Sequence, residues 1–214
     1  MKKLKSTLPN MAIVLTLISV LAGGILAYVN SVTKGPIAQL KEKNLADGIK
    51  AVLNAQDLKV QDSKTLDAGD VLYITDKGTA VKTITSGFGG ALTVLVGFDN
   101  DGNIQGYQVL EHAETPGLGA KAGDWFQKDA KGDIIGKNPG EKELTVSKDG
   151  GDVDAITAST ITSRAFLLAI NNAYKSFNEG ESNVHNLTSQ ERNEVRTTLL
   201  KKIRSIKLRY KLDK

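Results

Sequence analysis

Residues 154–164 read Asp154-Ala155-Ile156-Thr157-Ala158-Ser159-Thr160-Ile161-Thr162-Ser163-Arg164, and an apolar helical pattern follows them at once. From Thr160 onward Ile161, Ala165, Leu168, Ala169, Ala173 and Phe177 fall on one face at helical spacing. This predicts a helix that starts at Thr160 and ends near Asn178-Glu179-Gly180. A helix N-terminus has unpaired N–H groups and the positive end of the dipole, so it suits a capping side chain or a phosphate. Asp154, Thr157 or Ser159 would cap this one. Capping accounts for one or two hydroxyls; the run holds five, Thr157, Ser159, Thr160, Thr162 and Ser163.

The segment ahead of this helix reads as β-rich. Val71–Thr75 is expected as a strand, Asp76-Lys77-Gly78 as a turn and Ala80–Thr85 as a second strand. Ala91–Phe98 is apolar enough for a strand buried on both faces. Asp99-Asn100-Asp101-Gly102 is a hairpin turn answered by Ile104–Glu111. The turn resembles a calcium loop but has Leu110 where a glutamate is required, so no metal site is assigned there. Residues 112–142 are expected to be loop with a short helix, and Leu144-Thr145-Val146 a short strand.

Further out, residues 11–29 carry no charge, and no charge occurs between Lys5 and Lys34. A helix of that length spans the roughly 30 Å of a bilayer's hydrocarbon core. Lys2, Lys3 and Lys5 place the N-terminus in the cytoplasm and the body of the chain outside it. A cleaved signal peptide would have a shorter apolar region and a small-residue cleavage site; a retained anchor is expected instead. Gly23-Gly24 fits either close approach of a second helix or simple exposure to lipid. Gly35-Pro36 is read as a break, followed by a helix carrying Ile37, Leu40, Leu45, Ile49, Val52 and Leu53. Residues 56–70 are read as loop, and Ser189–Lys214 as a basic amphipathic helix.

Composition narrows the functional classes. The chain has 214 residues, 40% of them hydrophobic, and a net charge of +4. It contains no cysteine, which removes disulfides, thiolate metal sites, iron–sulfur ligation and cysteine nucleophiles. The basic tail from Arg192 to Lys214 has no aromatic interleaving or motif that would point to nucleic acid.

Two glycine-rich segments accompany the hydroxyl run. Ser86-Gly87-Phe88-Gly89-Gly90 lies between two strands, where glycine permits close backbone approach to a flat or anionic ligand, or simply a tight connection. It is neither a P-loop nor a dinucleotide fingerprint. Glu111-His112-Ala113-Glu114-Thr115-Pro116-Gly117-Leu118-Gly119 ends a strand in a rigid turn that fits a structural loop or a ligand loop equally. His185 is the only other histidine and has no supporting spacing, so this segment alone does not make a metal site.

Together, Ser86–Gly90, Glu114-Thr115-Pro116-Gly117-Leu118-Gly119 and Asp154–Thr160 resemble the FMN-binding domain found in the G-type component of the Rnf complex. The C-type component of the sodium-pumping NADH:quinone oxidoreductase shares that domain. The resemblance covers roughly residues 71–178 and extends to the single N-terminal span. It implies an α+β fold: a transmembrane helix followed by one extracytoplasmic domain with a mixed or antiparallel sheet and flanking helices. The implied division is anchor 1–34, connecting helix and loop 35–70, FMN-binding domain 71–180 and basic helix 181–214.

In that family the motif D-x-x-[S/T]-G-A-T ends in a threonine that carries FMN through a phosphoester bond. A flavin transferase makes the bond from FAD. By position the resemblance implies Thr160 as the attachment residue, with Asp154 and Thr157 in the signal that the transferase reads. Ala158 and Ser159 depart from the pattern's Gly-Ala, and Ser159 places a second hydroxyl beside Thr160. The implied cofactor-contact set is Ser86, Gly87, Phe88, Gly89, Gly90, Glu114, Thr115, Gly117, Leu118, Gly119, Asp154, Thr157, Ser159 and Thr160.

The implied role is an electron relay without substrate-level catalysis, in a complex that links ferredoxin and NAD to Na⁺ or H⁺ movement. Its partners would be the membrane and iron–sulfur subunits in the bacterial inner membrane, together with the transferase during maturation. Two alternatives are the C-type component of the quinone reductase and a membrane-anchored scaffold without cofactor.

Overall fold

The computed structural model describes residues 7–55, 58, 60–66 and 69–185. Two units divide the chain, the first up to Asp47 and the second from Gly48 onward. The expected basic helix over Ser189–Lys214 lies outside the described residues.

The first unit is the bulk of α1, Leu8–Val52. One 18-residue window of it has a mean hydropathy of 2.4 and none of that window is buried, so α1 is long and apolar enough to cross a membrane. Contrary to the break expected at Gly35-Pro36, the helix continues through Pro36. Proline lacks the N–H that would bond to the Val32 carbonyl, a loss that long flanking stretches of helix tolerate.

The second unit is built on a five-stranded antiparallel meander in the order β1-β2-β3-β4-β5. Its strands are β1 (Val60–Thr65), β2 (Val71–Thr75), β3 (Gly78–Ser86), β4 (Ala91–Phe98) and β5 (Ile104–His112). β2 to β5 match the expected strands to within a few residues. β1 lies in the segment read as loop. Its sequence, Val-Gln-Asp-Ser-Lys-Thr, has no apolar alternation, because an edge strand is held by its ladder to β2 rather than by burial. Leu144-Thr145-Val146 is not a strand; only Val146 forms an isolated parallel bridge, to Val153.

After β5 the chain forms a short 3-10 turn (Gly119–Lys121), α2 (Ala122–Trp125), a second 3-10 turn (Ser147–Asp149) and α3 (Thr160–His185). α3 starts at the expected residue and runs past the expected end. It packs across β3 and β4. Phe166, Ile170, Ala173 and Phe177 meet Val81, Val94, Val96, Phe98 and Tyr107 in one core. Phe166 stacks on Phe126 with ring centroids 4.5 Å apart and meets Tyr107 edge-on at 4.8 Å. Ile161 and Leu168, both assigned to the buried face, are 56% and 50% exposed. Ala165, Ala169, Ala173 and Phe177 of the expected face are buried, and Thr162, Phe166 and Ile170 join them in the core stripe.

β4 is buried on both faces, as its apolar run implies. On the face away from α3, Val52 and Leu53 lie so close that a Cβ at Gly97 would strike the Val52 carbonyl. Glycine is required there by approach, not by φ. The hairpin turn after β4 is held by Asp99, whose Oδ1 accepts from the Asp101 and Asn103 backbone N–H groups at 2.9 and 2.8 Å.

Candidate functional site

The β3–β4 hairpin closes through Gly87 N–H to the Gly90 carbonyl at 2.7 Å. The Phe88 and Gly89 N–H groups are left for other partners, and both are taken by one carboxylate. Glu114 Oε1 accepts from Phe88 at 2.7 Å and from Gly89 at 3.2 Å. Its other oxygen, Oε2, accepts from the Thr162 hydroxyl at 2.6 Å. Glu114 is only 5% exposed, and three donors offset the cost of burying its charge. One side chain thus binds together three segments that lie far apart in sequence.

The glycines of these segments are shaped by that carboxylate. A Cβ at Gly87 would collide with Glu114 Oε1, and one at Gly119 would lie 2.7 Å from Thr162 Oγ1. Gly117 faces open space but has φ +77°, where a side chain is strained.

A cavity of ≈ 330 Å³ opens where the segments meet, lined by Phe88, Glu114, Thr115, Leu118, Gly119 and residues 158–162. Of the expected contact residues, Phe88, Glu114, Thr115, Leu118, Gly119, Ser159 and Thr160 line it. Ser86, Gly87, Gly89, Gly90 and Gly117 belong to the same loops but not to its lining. Asp154 and Thr157 also stand outside it. The Asp154 carboxylate, one of three candidate caps, instead accepts from Ser147 Oγ at 3.0 Å, and its backbone carbonyl accepts from Trp125 Nε1 at 2.8 Å.

The five hydroxyls sort by contact. Thr162 is bound to Glu114. Ser163 Oγ accepts from the Ile156 N–H at 2.9 Å and donates to the Ser159 carbonyl at 3.0 Å. Ser159 is buried, while Thr157 is exposed beyond the cavity. Thr160 alone combines partial exposure with a place in the cavity wall at the first residue of α3. Ala158, where the family pattern has glycine, has φ +61°. The pattern's glycine therefore answers a left-handed backbone turn just ahead of Thr160.

Two features here left no signal in the sequence. Thr162 is one hydroxyl among several until the fold brings Glu114 to it. Lys148, in a polar stretch, lies with Nζ 3.5 Å from Thr160 Oγ1. Its turn is docked on α3 by Arg164, which makes two 2.7 Å hydrogen bonds to Asp149. Those bonds hold the Asp149 carboxyl below its ordinary pKa of 3.8. In the core beneath, burial pushes the Tyr107 phenol well up, and its oxygen donates to the Ala122 carbonyl at 2.9 Å.

Chemically, the cavity has an apolar rim of exposed Phe88, Leu118 and Ile161. Its wall also holds the Thr160 hydroxyl, with the Lys148 ammonium beside it, at a helix start whose first turn contains no acidic residue. That suits a flat aromatic group joined to a phosphate, and the volume falls within the usual range of small-molecule sites.

A model of the FMN-binding domain matches residues 87–175. The chain is 36% identical to the G component of an ion-translocating oxidoreductase complex from Yersinia pestis, over 78% of this chain and 88% of that one. It is 33% identical to the corresponding protein of Escherichia coli K12, over 78% and 89% of the two chains. A third such protein, from Cereibacter sphaeroides, is 36% identical over 72% and 76%.

Proposed function

The chain belongs to the family of G components of ion-translocating oxidoreductase complexes, and from that membership we propose that it relays electrons through an FMN esterified to Thr160. The carrying observation is the cavity itself. Three segments converge on it, and of the five hydroxyls in the run only Thr160 is both accessible and in its wall.

The residues present fit that group. Phe88, Leu118 and Ile161 offer apolar surface to a ring system. Thr160 and the start of α3 receive the phosphate. FMN, when bound, supplies one- and two-electron transfer. The chain's own residues hold it, orient it and shield one side from water. In loading, Thr160 Oγ would be the atom that displaces AMP from the flavin-side phosphorus of FAD, its proton passing to the transferase or to water. The tether keeps the group in place on the exported side, where free FMN is scarce.

The same reading sets the surroundings. α1 anchors the chain once in the bacterial inner membrane, with Lys2, Lys3 and Lys5 on the cytoplasmic side. The second unit stands outside the cytoplasm beside the other subunits of its complex.

The test is denaturing electrophoresis of the full chain co-expressed with a flavin transferase. Wild type and Ser159→Ala fluoresce; Thr160→Ala does not. A fluorescent Thr160→Ala, or a colourless wild type, overturns the assignment.

A further inference from the structure

We propose that Lys148 is the counter-charge of the phosphoester at Thr160, a role that rests on the assignment of that residue as the attachment point. Lys148 Nζ lies 3.5 Å from Thr160 Oγ1. Bonding that oxygen to phosphorus places anionic oxygens two bonds from an atom the ammonium already meets. A neutral hydroxyl is a weak partner for an ammonium; a phosphoester is a strong one.

The position of the lysine is built. It sits in the middle of the Ser147–Asp149 turn, which is clamped at both ends. Ser147 Oγ lies 3.0 Å from both the Val153 carbonyl and Asp154 Oδ1. Asp149 is gripped by both Arg164 nitrogens. Three other cations are paired with carboxylates: Arg164 with Asp149, and Lys137 and Lys142 with Asp152. Glu114, the acidic side chain in the cavity wall, has both oxygens engaged by donors. Lys148 is thus the cation that the fold directs at Thr160 rather than at an acid. The N-terminal end of α3 adds its dipole to the same spot.

The experiment labels lysines of the full chain in detergent with an amine-acetylating reagent, before and after loading with transferase and FAD, and reads each site by mass spectrometry. Lys148 becomes severalfold less reactive on loading, whereas Lys142, whose side chain is 63% exposed, does not change. A second measurement is the ³¹P resonance of loaded protein, which moves in Lys148→Gln and stays close to wild type in Lys148→Arg. Unchanged labelling of Lys148 in loaded protein overturns the proposal, whether or not the variants load. Loading of Thr160→Ala overturns the attachment assignment and this proposal with it. Absence of loading in Thr160→Ala together with unprotected Lys148 in loaded wild type overturns the lysine's role alone.

Discussion

Thr162 donates its hydroxyl hydrogen to Glu114 across 2.6 Å, although 48 positions separate the two in sequence. The bond ties the first turn of α3 to the loop after β5. Through the other oxygen of Glu114 it ties both to the β3–β4 hairpin. The cavity wall is held together mainly by this carboxylate.

Glu114→Ala removes the acceptor from two backbone N–H groups and a buried hydroxyl. Stability should fall by on the order of 3 kcal/mol. Glu114→Gln keeps one acceptor for the hairpin and offers its amide to the Thr162 oxygen, so its cost should be roughly 1 kcal/mol. Urea unfolding of the full chain in detergent, followed by Trp125 fluorescence, measures both. Equal costs would show that the negative charge, rather than the acceptor geometry, matters.

Ala158 occupies a left-handed backbone conformation at φ +61°. Ala158→Gly relieves that strain and should raise stability by roughly 0.5–1 kcal/mol, net of glycine's greater unfolded-state entropy. A loss of stability in the same unfolding assay would mean that the alanine methyl makes contacts worth more than the strain.

Gly119 and Gly117 lie in one loop but are glycine for different reasons. Gly119→Ala drives a methyl against Glu114 and Thr162 and should cost roughly 2 kcal/mol, with a distorted cavity. Gly117→Ala meets open space and carries only backbone strain, roughly 1 kcal/mol. The pair should also differ in covalent flavin yield, with Gly119→Ala the more impaired.

The Asp149–Arg164 contact has a defined pH dependence. The hydrogen bond from Arg164 holds the folded pKa of Asp149 below the ordinary 3.8. Between the two values the unfolded chain binds more protons, so stability rises with pH there. The contribution is full above the ordinary value and is lost as pH falls through the folded one. The gap in thermal midpoint between wild type and Asp149→Asn should therefore be constant at about pH 5 and above and close as pH drops below 3.8. A gap independent of pH would remove the ion pair as its cause.

Several features of this protein follow from local sequence alone. The uncharged run over 11–29 specifies a helix long and apolar enough to cross a membrane. β2 to β5 follow from apolar runs punctuated by Gly, Asp and Asn. α3 begins where the hydroxyl run meets the apolar period. The convergence of the three segments was legible only through resemblance, since each alone fitted a plain turn.

Other features were decided by tertiary contact. β1 exists because β2 offers it a ladder, and α1 crosses Pro36 because its flanks outweigh one missing hydrogen bond. Periodicity locates Ala165, Ala169, Ala173 and Phe177 on the buried face of α3 but not the edges of the stripe; packing against β3 and β4 turned Ile161 and Leu168 outward and Thr162 inward. The five hydroxyls are equivalent as letters. Glu114 takes Thr162, the Ile156 N–H and Ser159 carbonyl take Ser163, burial takes Ser159, Thr157 stands exposed outside the cavity, and Thr160 follows the left-handed turn at Ala158. The Ser163 bonds are local, but the Glu114–Thr162 bond and the burial of Ser159 arise only when the sheet, the loop and the helix are packed together.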